Sequence, residues 1–114
     1  MKIEPQPSVC IALTTVSTRK QADDLARRMV QTAAAACVQI DGPITSVYRY
    51  DGLQQESEYR LTIKSHHDAI GRLRQLVEQH HPYEEPQWIE LDATTVASGY
   101  HDWVVRSTRP VAND

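Results

Sequence analysis

The feature that most constrains this chain is a change of hydrophobic period between residues 8 and 34. Val9-Cys10-Ile11-Ala12-Leu13 is apolar at every position. A strand over Ser8 to Thr15 is therefore covered on both faces and belongs inside a sheet, and a second subunit is one way to cover the second face. Thr18-Arg19-Lys20-Gln21 then fits a capping box, in which the threonine caps a helix and the glutamine reaches back to the cap. Asp23 and Asp24 suit the positive end of that helix's dipole. Ala22, Leu25, Ala26, Met29, Val30 and Ala33 recur at the three- and four-residue spacing of one helix face. The spacing predicts a helix from about residue 18 to 34 whose small residues allow close packing on a sheet.

The remaining chain supplies the partners. Ala35 to Ile40 is apolar and runs into Asp41-Gly42-Pro43, a bend or bulge. Pro43 cannot donate to a ladder, so an edge position or a break is expected there. Ile44 to Tyr50 is rich in β-branched and aromatic residues, and Asp51-Gly52 is a hairpin signal. Glu58 to Lys64 alternates, with Tyr59, Leu61 and Ile63 on one face and Glu58, Arg60, Thr62 and Lys64 on the other. The hairpin is longer than one small domain needs. Ile70, Leu73, Leu76 and Val77 mark a second helix over about 68–80. Trp88 to Ala93 reads as the last core strand, with Ile89, Leu91 and Ala93 on one face. Ser98 to Arg106 reads as a short helix with Tyr100, Trp103 and Val104 on one side. Residues 1–7 and the stretch from Pro110 read as loose tails. The order strand, helix, strand, strand, helix, strand, short helix is an α+β, ferredoxin-like split βαβ arrangement. One domain spans residues 1–114, with an ordered core over about 8–109.

Bulk properties exclude several function classes. The net charge of −3 and pI of about 5.9 argue against a nucleic-acid partner, which calls for a basic stripe. No apolar run approaches the ~20 residues of a membrane span. The N-terminal stretch has no apolar signal core, so a cytoplasmic protein is expected. The 2 cysteines, Cys10 and Cys37, read as small buried hydrophobes. With no C-x-x-C, a sulfur-rich zinc site is not expected. Neither cysteine has the electropositive surroundings of an activated thiolate. There is no G-x-S-x-G elbow and no P-loop. We expect no enzyme and no organic cofactor.

Side-chain chemistry concentrates in Glu78-Gln79-His80-His81-Pro82-Tyr83-Glu84-Glu85-Pro86-Gln87, between the second helix and the last strand. His80 follows Leu76 by four residues and extends that helix face. Pro82 disfavours helical angles at His81, so the helix stops by that residue. The two rings should therefore point in different directions, near the helix C-terminus where the dipole favours positive charge. Imidazole suits copper, zinc or nickel, and copper(II) binds tightest. Two imidazoles do not close a metal site. The Pro-Tyr-Glu-Glu-Pro run reads either as a rigid connection or as a ledge presenting Tyr83 and Glu84 to a cleft. Lys64 is a candidate anion anchor. Tyr48, Tyr50 and Tyr59 read as core or hairpin packing.

Taken in order, Thr14-Thr15, the first helix, Ala35-Ala36-Cys37-Val38, Thr45-Ser46-Val47-Tyr48, Asp51-Gly52, Ile63-Lys64, His81-Pro82-Tyr83-Glu84-x-Pro86, Tyr100-x-x-Trp103 and Ser107-Thr108-Arg109 resemble the CutA divalent-cation-tolerance proteins. The likeness runs from about residue 9 to 109. It implies a ferredoxin-like fold and a tight homotrimer related in architecture to PII signalling proteins, with the long hairpin reaching a neighbouring subunit. It implies inter-subunit clefts lined by Lys64, Tyr83 and Glu84, and copper(II) binding at His80 and His81 together with a cysteine at the end of the first strand. That last position is Thr14 here, a poorer copper ligand than a thiolate. Tyr50 stands where many members carry tryptophan.

These readings combine into one expectation: a cytoplasmic homotrimer that binds divalent metal, copper(II) first, through His80 and His81. Two alternatives stay open. One is a PII-like signalling module binding a small anionic ligand through Lys64, Tyr83 and Glu84, and the other is a structural trimer that scaffolds other proteins.

Overall fold

The computed structural model describes residues 1–4 and 8–110. In chain order its elements are β1 (Ile3–Glu4), β2 (Val9–Val16), α1 (Arg19–Gln31), β3 (Cys37–Arg49), β4 (Leu53–His66), α2 (Ile70–His80), β5 (Ile89–Asp92), β6 (Val96–Ala97) and α3 (Ser98–Ser107). Four strands form one antiparallel-paired sheet in the order β3-β4-β2-β5. The doubly apolar β2 lies inside it, as its composition requires, and Pro43 lies on the edge strand β3. The strand that follows each helix therefore lies beyond a neighbour of the strand that precedes it, which is the split βαβ arrangement of a ferredoxin-like α+β domain.

Helix α1 begins as its residues dictate. The Thr18 side chain accepts from the Gln21 backbone N–H, and Gln21 Oε1 accepts from the Thr18 N–H. Ala22, Leu25, Ala26 and Met29 are buried, and Ala33 leaves the helix at φ 60 and is buried too. Val30 is 45% exposed, off the stripe predicted for it. Asp23 and Asp24 lie past the first turn and form exposed i,i+4 ion pairs with Arg19 and Lys20. Neighbouring side chains, rather than the helix dipole, hold them.

The helices cover one face of the sheet. Cys10, Ala12 and Val16 of β2 and Leu61 and Ile63 of β4 pack there against Met29, Leu73 and Val77. By alternation Ile11 and Leu13 point to the other face. There they sit opposite Leu91 and Ile89 of β5. Ile89 is 44% and Leu91 50% exposed, so the expectation of a core strand there is corrected. Among the described residues of one chain β5 is an edge strand with no cover on its apolar face. Val104 of α3, packed on Val9 and Ala36, closes one end of that open face. Tyr100 and Trp103, predicted beside Val104, instead form an exposed ring pair with centroids 5.5 Å apart.

The expected loose N-terminal tail is also corrected in part. Ile3 and Glu4 pair with Ala97 and Val96 in a two-stranded ribbon. Residues 5–7 and 111–114, where the rest of the two tails was expected, lie outside the described residues.

The β3–β4 hairpin is long. β2 pairs with β4 only from Val9↔His66 to Val16↔Tyr59, whereas β4 pairs with β3 out to Arg49↔Leu53. The free end projects about 20 Å beyond β2 at the usual strand rise. Asp51 and Gly52 turn it at φ 52 and 94, the left-handed region that this dipeptide tolerates. Tyr50 and Leu53 are 76% and 83% exposed, and Tyr48 is exposed as well, so of the three tyrosines only Tyr59 packs against the core. The predicted bulge lies between Asp41 and Ile44. Gly42, at φ +154, brings the β3 backbone so close to Tyr59 and the Glu58 carbonyl that a Cβ would lie 2.6 Å from the Tyr59 ring.

Candidate functional site

Helix α2 ends where Pro82 requires. His81 is its C-cap at φ −67, ψ 134, and its N–H donates to the Val77 carbonyl at 2.8 Å. That extended backbone turns the His81 ring inward to the end of β2. Its Nδ1 accepts from the Tyr83 N–H at 3.0 Å, and its Nε2 lies 2.9 Å from Thr14 Oγ1. An Nδ1 that accepts leaves the proton on Nε2, which donates to Thr14. Burial lowers the pKa of this imidazole, against the opposing pull of the Thr15 backbone and the Glu58 charge. His80 is exposed and borders two cavities on the α1 side with Arg28. The two rings diverge, as the spacing predicted.

Tyr83 sits beneath His81 with ring centroids 5.0 Å apart. Its hydroxyl donates to Glu58 Oε2 at 2.9 Å and lies 2.8 Å from Ser17 Oγ. Burial pushes the phenol up to about 12, against the Ser17 hydrogen bond and with the Glu58 carboxylate adding to the rise. Glu58 was expected on a solvated strand face, yet only 7% of it is exposed. Burial is the largest influence on its carboxyl and raises the pKa. Hydrogen bonds with Ser46, Tyr83 and Thr15, and the charge on His81, together outweigh burial and leave it lowered. The sequence carried no sign of this residue's role, because the tyrosine that covers Glu58 comes from a loop 25 residues away.

Tyr83 is a wall between two cavities. The one of about 360 Å³ is acidic, with Glu56, Glu58 and Glu85 around Thr15, Ser46 and Tyr48. The one of about 230 Å³ is mostly apolar, with Val77, His81, Pro86 and Trp88, and Glu84 at its rim. Two further contacts hold its lining: Glu90 takes hydrogen bonds from Arg74 Nε at 2.7 Å and Trp88 Nε1 at 2.8 Å, and both of those residues line the cavity. Tyr83 and Glu84 therefore share a cavity wall. Lys64 does not join them in one chain. It lies six residues from Glu58 along β4, about 20 Å at the strand rise, and its Nζ donates to Gln39 Oε1.

The metal expectation was tested against the donor set. His80 presents an imidazole to solvent. His81 must give up either the Thr14 or the Tyr83 hydrogen bond before it can ligate. The described residues hold one group of three His, Cys, Asp or Glu donors within reach of a single ion, and it is Cys10, His67 and Asp92. His80 and His81 suit a divalent ion chemically, yet one chain does not close a shell around them.

One serine–histidine–carboxylate chain of contacts bears on catalysis. Ser8 Oγ lies 2.7 Å from His66 Nε2, and His66 Nδ1 lies 3.6 Å from Asp68 Oδ2. The Asp68 backbone N–H, however, donates to Nδ1 at 3.2 Å. That bond puts the ring proton on Nε2 facing the serine, so neutral His66 cannot act as its base in the manner of a triad.

Fold and site together define a small ferredoxin-like α+β protein in which a histidine-capped helix meets the end of the central strand. The chain belongs to the CutA1 divalent ion tolerance protein family, whose model matches residues 10–107. It is 31% identical to the divalent-cation tolerance protein CutA of Thermus thermophilus over 86% of this chain and 96% of that one. Protein CutA of Mus musculus is 34% identical over 93% of this chain. The chain spans 60% of the mouse relative and 57% of a chloroplastic Arabidopsis thaliana relative. Among solved structures, CutA of Synechococcus elongatus superposes with a TM-score of 0.89 at 31% identity, covering 95% of this chain and 96% of that one. A second structure of that protein is complexed with a Bis-Tris molecule. The fold also matches, at 22% identity, a periplasmic CutA of Archaeoglobus fulgidus. Relatives thus occupy several compartments. No helix among the described residues is long and apolar enough to cross a membrane.

Proposed function

We propose that this chain works as a cytoplasmic homotrimer in divalent-cation tolerance and binds copper(II) through His80 and His81. One observation carries the reading: His81 Nε2 lies 2.9 Å from Thr14 Oγ1. Thr14 stands at the position where the CutA resemblance implies a metal-binding cysteine. Strand end and helix end are thus neighbours, and the His81 ring is freed to ligate by displacing one hydrogen bond, worth about 1 kcal/mol, while the diverging His80 ring leaves the shell to be completed by another copy of the chain. A hydroxyl in place of a thiolate makes the site weak. The exposed Ile89 and Leu91 beside half-buried Ile11 and Leu13, with the projecting hairpin, support assembly, since edges and apolar faces of this kind favour a partner. Two free cysteines fit a reducing compartment. Calorimetric titration of copper(II) into wild type and a His80→Ala, His81→Ala double variant, with mass by light scattering, tests both parts. Loss of binding in a variant of trimeric mass is expected. Unchanged binding, or a monomeric wild type, refutes the corresponding part.

A second reading is ligand binding in a cleft between subunits. Lys64 is about 20 Å from Glu58 along β4, so only a neighbouring copy can bring it to Tyr83 and Glu84. The carboxylates around Tyr83 repel an anion unless such a lysine enters. Loss of nucleotide or small-anion binding in Lys64→Ala is the expected result of this reading.

A further inference from the structure

A set of metal donors lies at the opposite end of β2 from Thr14. Cys10 and Asp92 are directly paired across β2 and β5, so their side chains share a face. His67 follows the last residue of β4, and its N–H donates to the Ser8 carbonyl at 2.9 Å, which brings it beside Cys10. His67 Nε2 is 3.2 Å from Asp92 Oδ1. One donor atom from each of the three lies within 4.8 Å of the others. We propose that Cys10, His67 and Asp92 form a divalent-metal site for a borderline-soft ion of the zinc class.

The chemistry suits that class. Thiolate, imidazole and carboxylate are the three donor types zinc takes, and three protein ligands with a fourth, open position is a familiar zinc arrangement. In a tetrahedral shell with ordinary zinc bond lengths the donors stand roughly 3.3–3.6 Å apart. The His67–Asp92 pair, at 3.2 Å, stands just short of the low end of that spacing. The remaining contraction falls to side chains that can move, because those of His67 and Asp92 are 49% and 73% exposed while Cys10 is only 3% exposed. Burial first, and then the charges of Asp92 and Glu90, push the Cys10 thiol up to about 11, so a metal must displace its proton to bind. Binding exchanges the thiol proton for the metal–sulfur bond and releases that proton to solvent. The site uses none of Thr14, His80 or His81, so it goes beyond the function proposed above.

The test uses the full chain carrying His80→Ala, His81→Ala and Cys37→Ser, so that neither the His80–His81 pair nor the second cysteine contributes. Cobalt(II) is titrated and followed by absorption, then displaced by zinc. The expected result is one cobalt per chain with a thiolate-to-cobalt charge-transfer band. That band should vanish in Cys10→Ala, and Asp92→Asn should weaken binding at least about tenfold, the low end of what losing even an outer-shell partner of a ligand costs. Asp92 is exposed, so Asp92→Asn keeps the test valid if Cys10→Ala fails to fold. Absence of the band at saturating cobalt, or binding equal to the parent in Asp92→Asn, overturns the proposal.

Discussion

Tyr83→Phe tests the buried carboxylate at the centre of the site. The change removes the hydroxyl that donates to Glu58 at 2.9 Å and meets Ser17 at 2.8 Å, and it leaves the ring in place. A hydrogen bond to a charged group is worth about 1.5–3 kcal/mol. Glu58 keeps Ser46 and Thr15 as partners, so the loss falls at the low end, about 1.5 kcal/mol. At the usual unfolding entropy per residue this lowers Tm by about 6 °C for a chain of this length. The sign of the pH dependence follows from the lowered Glu58 carboxyl. Its stabilisation is present above the ordinary carboxylate pKa and is lost as pH falls through the lower native value, because the unfolded state takes up the proton first. The gap between wild type and Tyr83→Phe should therefore be full at pH 7 and should close on acidification through the carboxylate range. Urea unfolding at fixed protein concentration across that range measures it. Ser17→Ala, which removes an exposed partner of the same hydroxyl, should cost under about 0.5 kcal/mol with no such closure. A Tyr83→Phe gap that does not change with pH refutes the assignment of the effect to Glu58.

Thr14→Cys should tighten copper(II) or zinc binding about tenfold or more, since a thiolate replaces a hydroxyl beside His81; calorimetry against wild type measures the change. Leu91→Lys, at a residue 50% exposed on the open sheet face, should lower the mass seen by light scattering while far-UV circular dichroism stays unchanged. Gly42→Ala should cost about 3 kcal/mol by chemical denaturation, because the new Cβ meets the Tyr59 ring at 2.6 Å and the Glu58 carbonyl at 3.0 Å at a positive φ that alanine resists.

Most of the secondary structure was legible in the sequence because the information is local. The capping box at Thr18 and Gln21, the helix stop before Pro82, the Asp51-Gly52 turn and the bulge at Gly42-Pro43 each depend on residues a few positions apart. The doubly apolar β2 announced a place inside the sheet. Errors arose where a side chain's surroundings come from distant chain. Glu58 reads as solvated until Tyr83 arrives from the 81–87 loop. Ile89 and Leu91 read as core until the helices prove to cover the other face, and Ile3–Glu4 reads as tail until β6 pairs with it.

The site divides along the same line. The sequence by itself determined that imidazoles, carboxylates and a tyrosine gather at a helix-to-strand junction, and that the two histidine rings diverge. Only the tertiary structure decided what each ring meets. It set the His81–Thr14 contact 67 residues apart in the chain, and it paired Cys10 with Asp92 beside His67. The physical reason is that periodicity reports which face of its own element a residue occupies. Strand order and register decide which distant residue stands opposite, and with it the hydrogen bonds, burial and charge that give the group its chemistry.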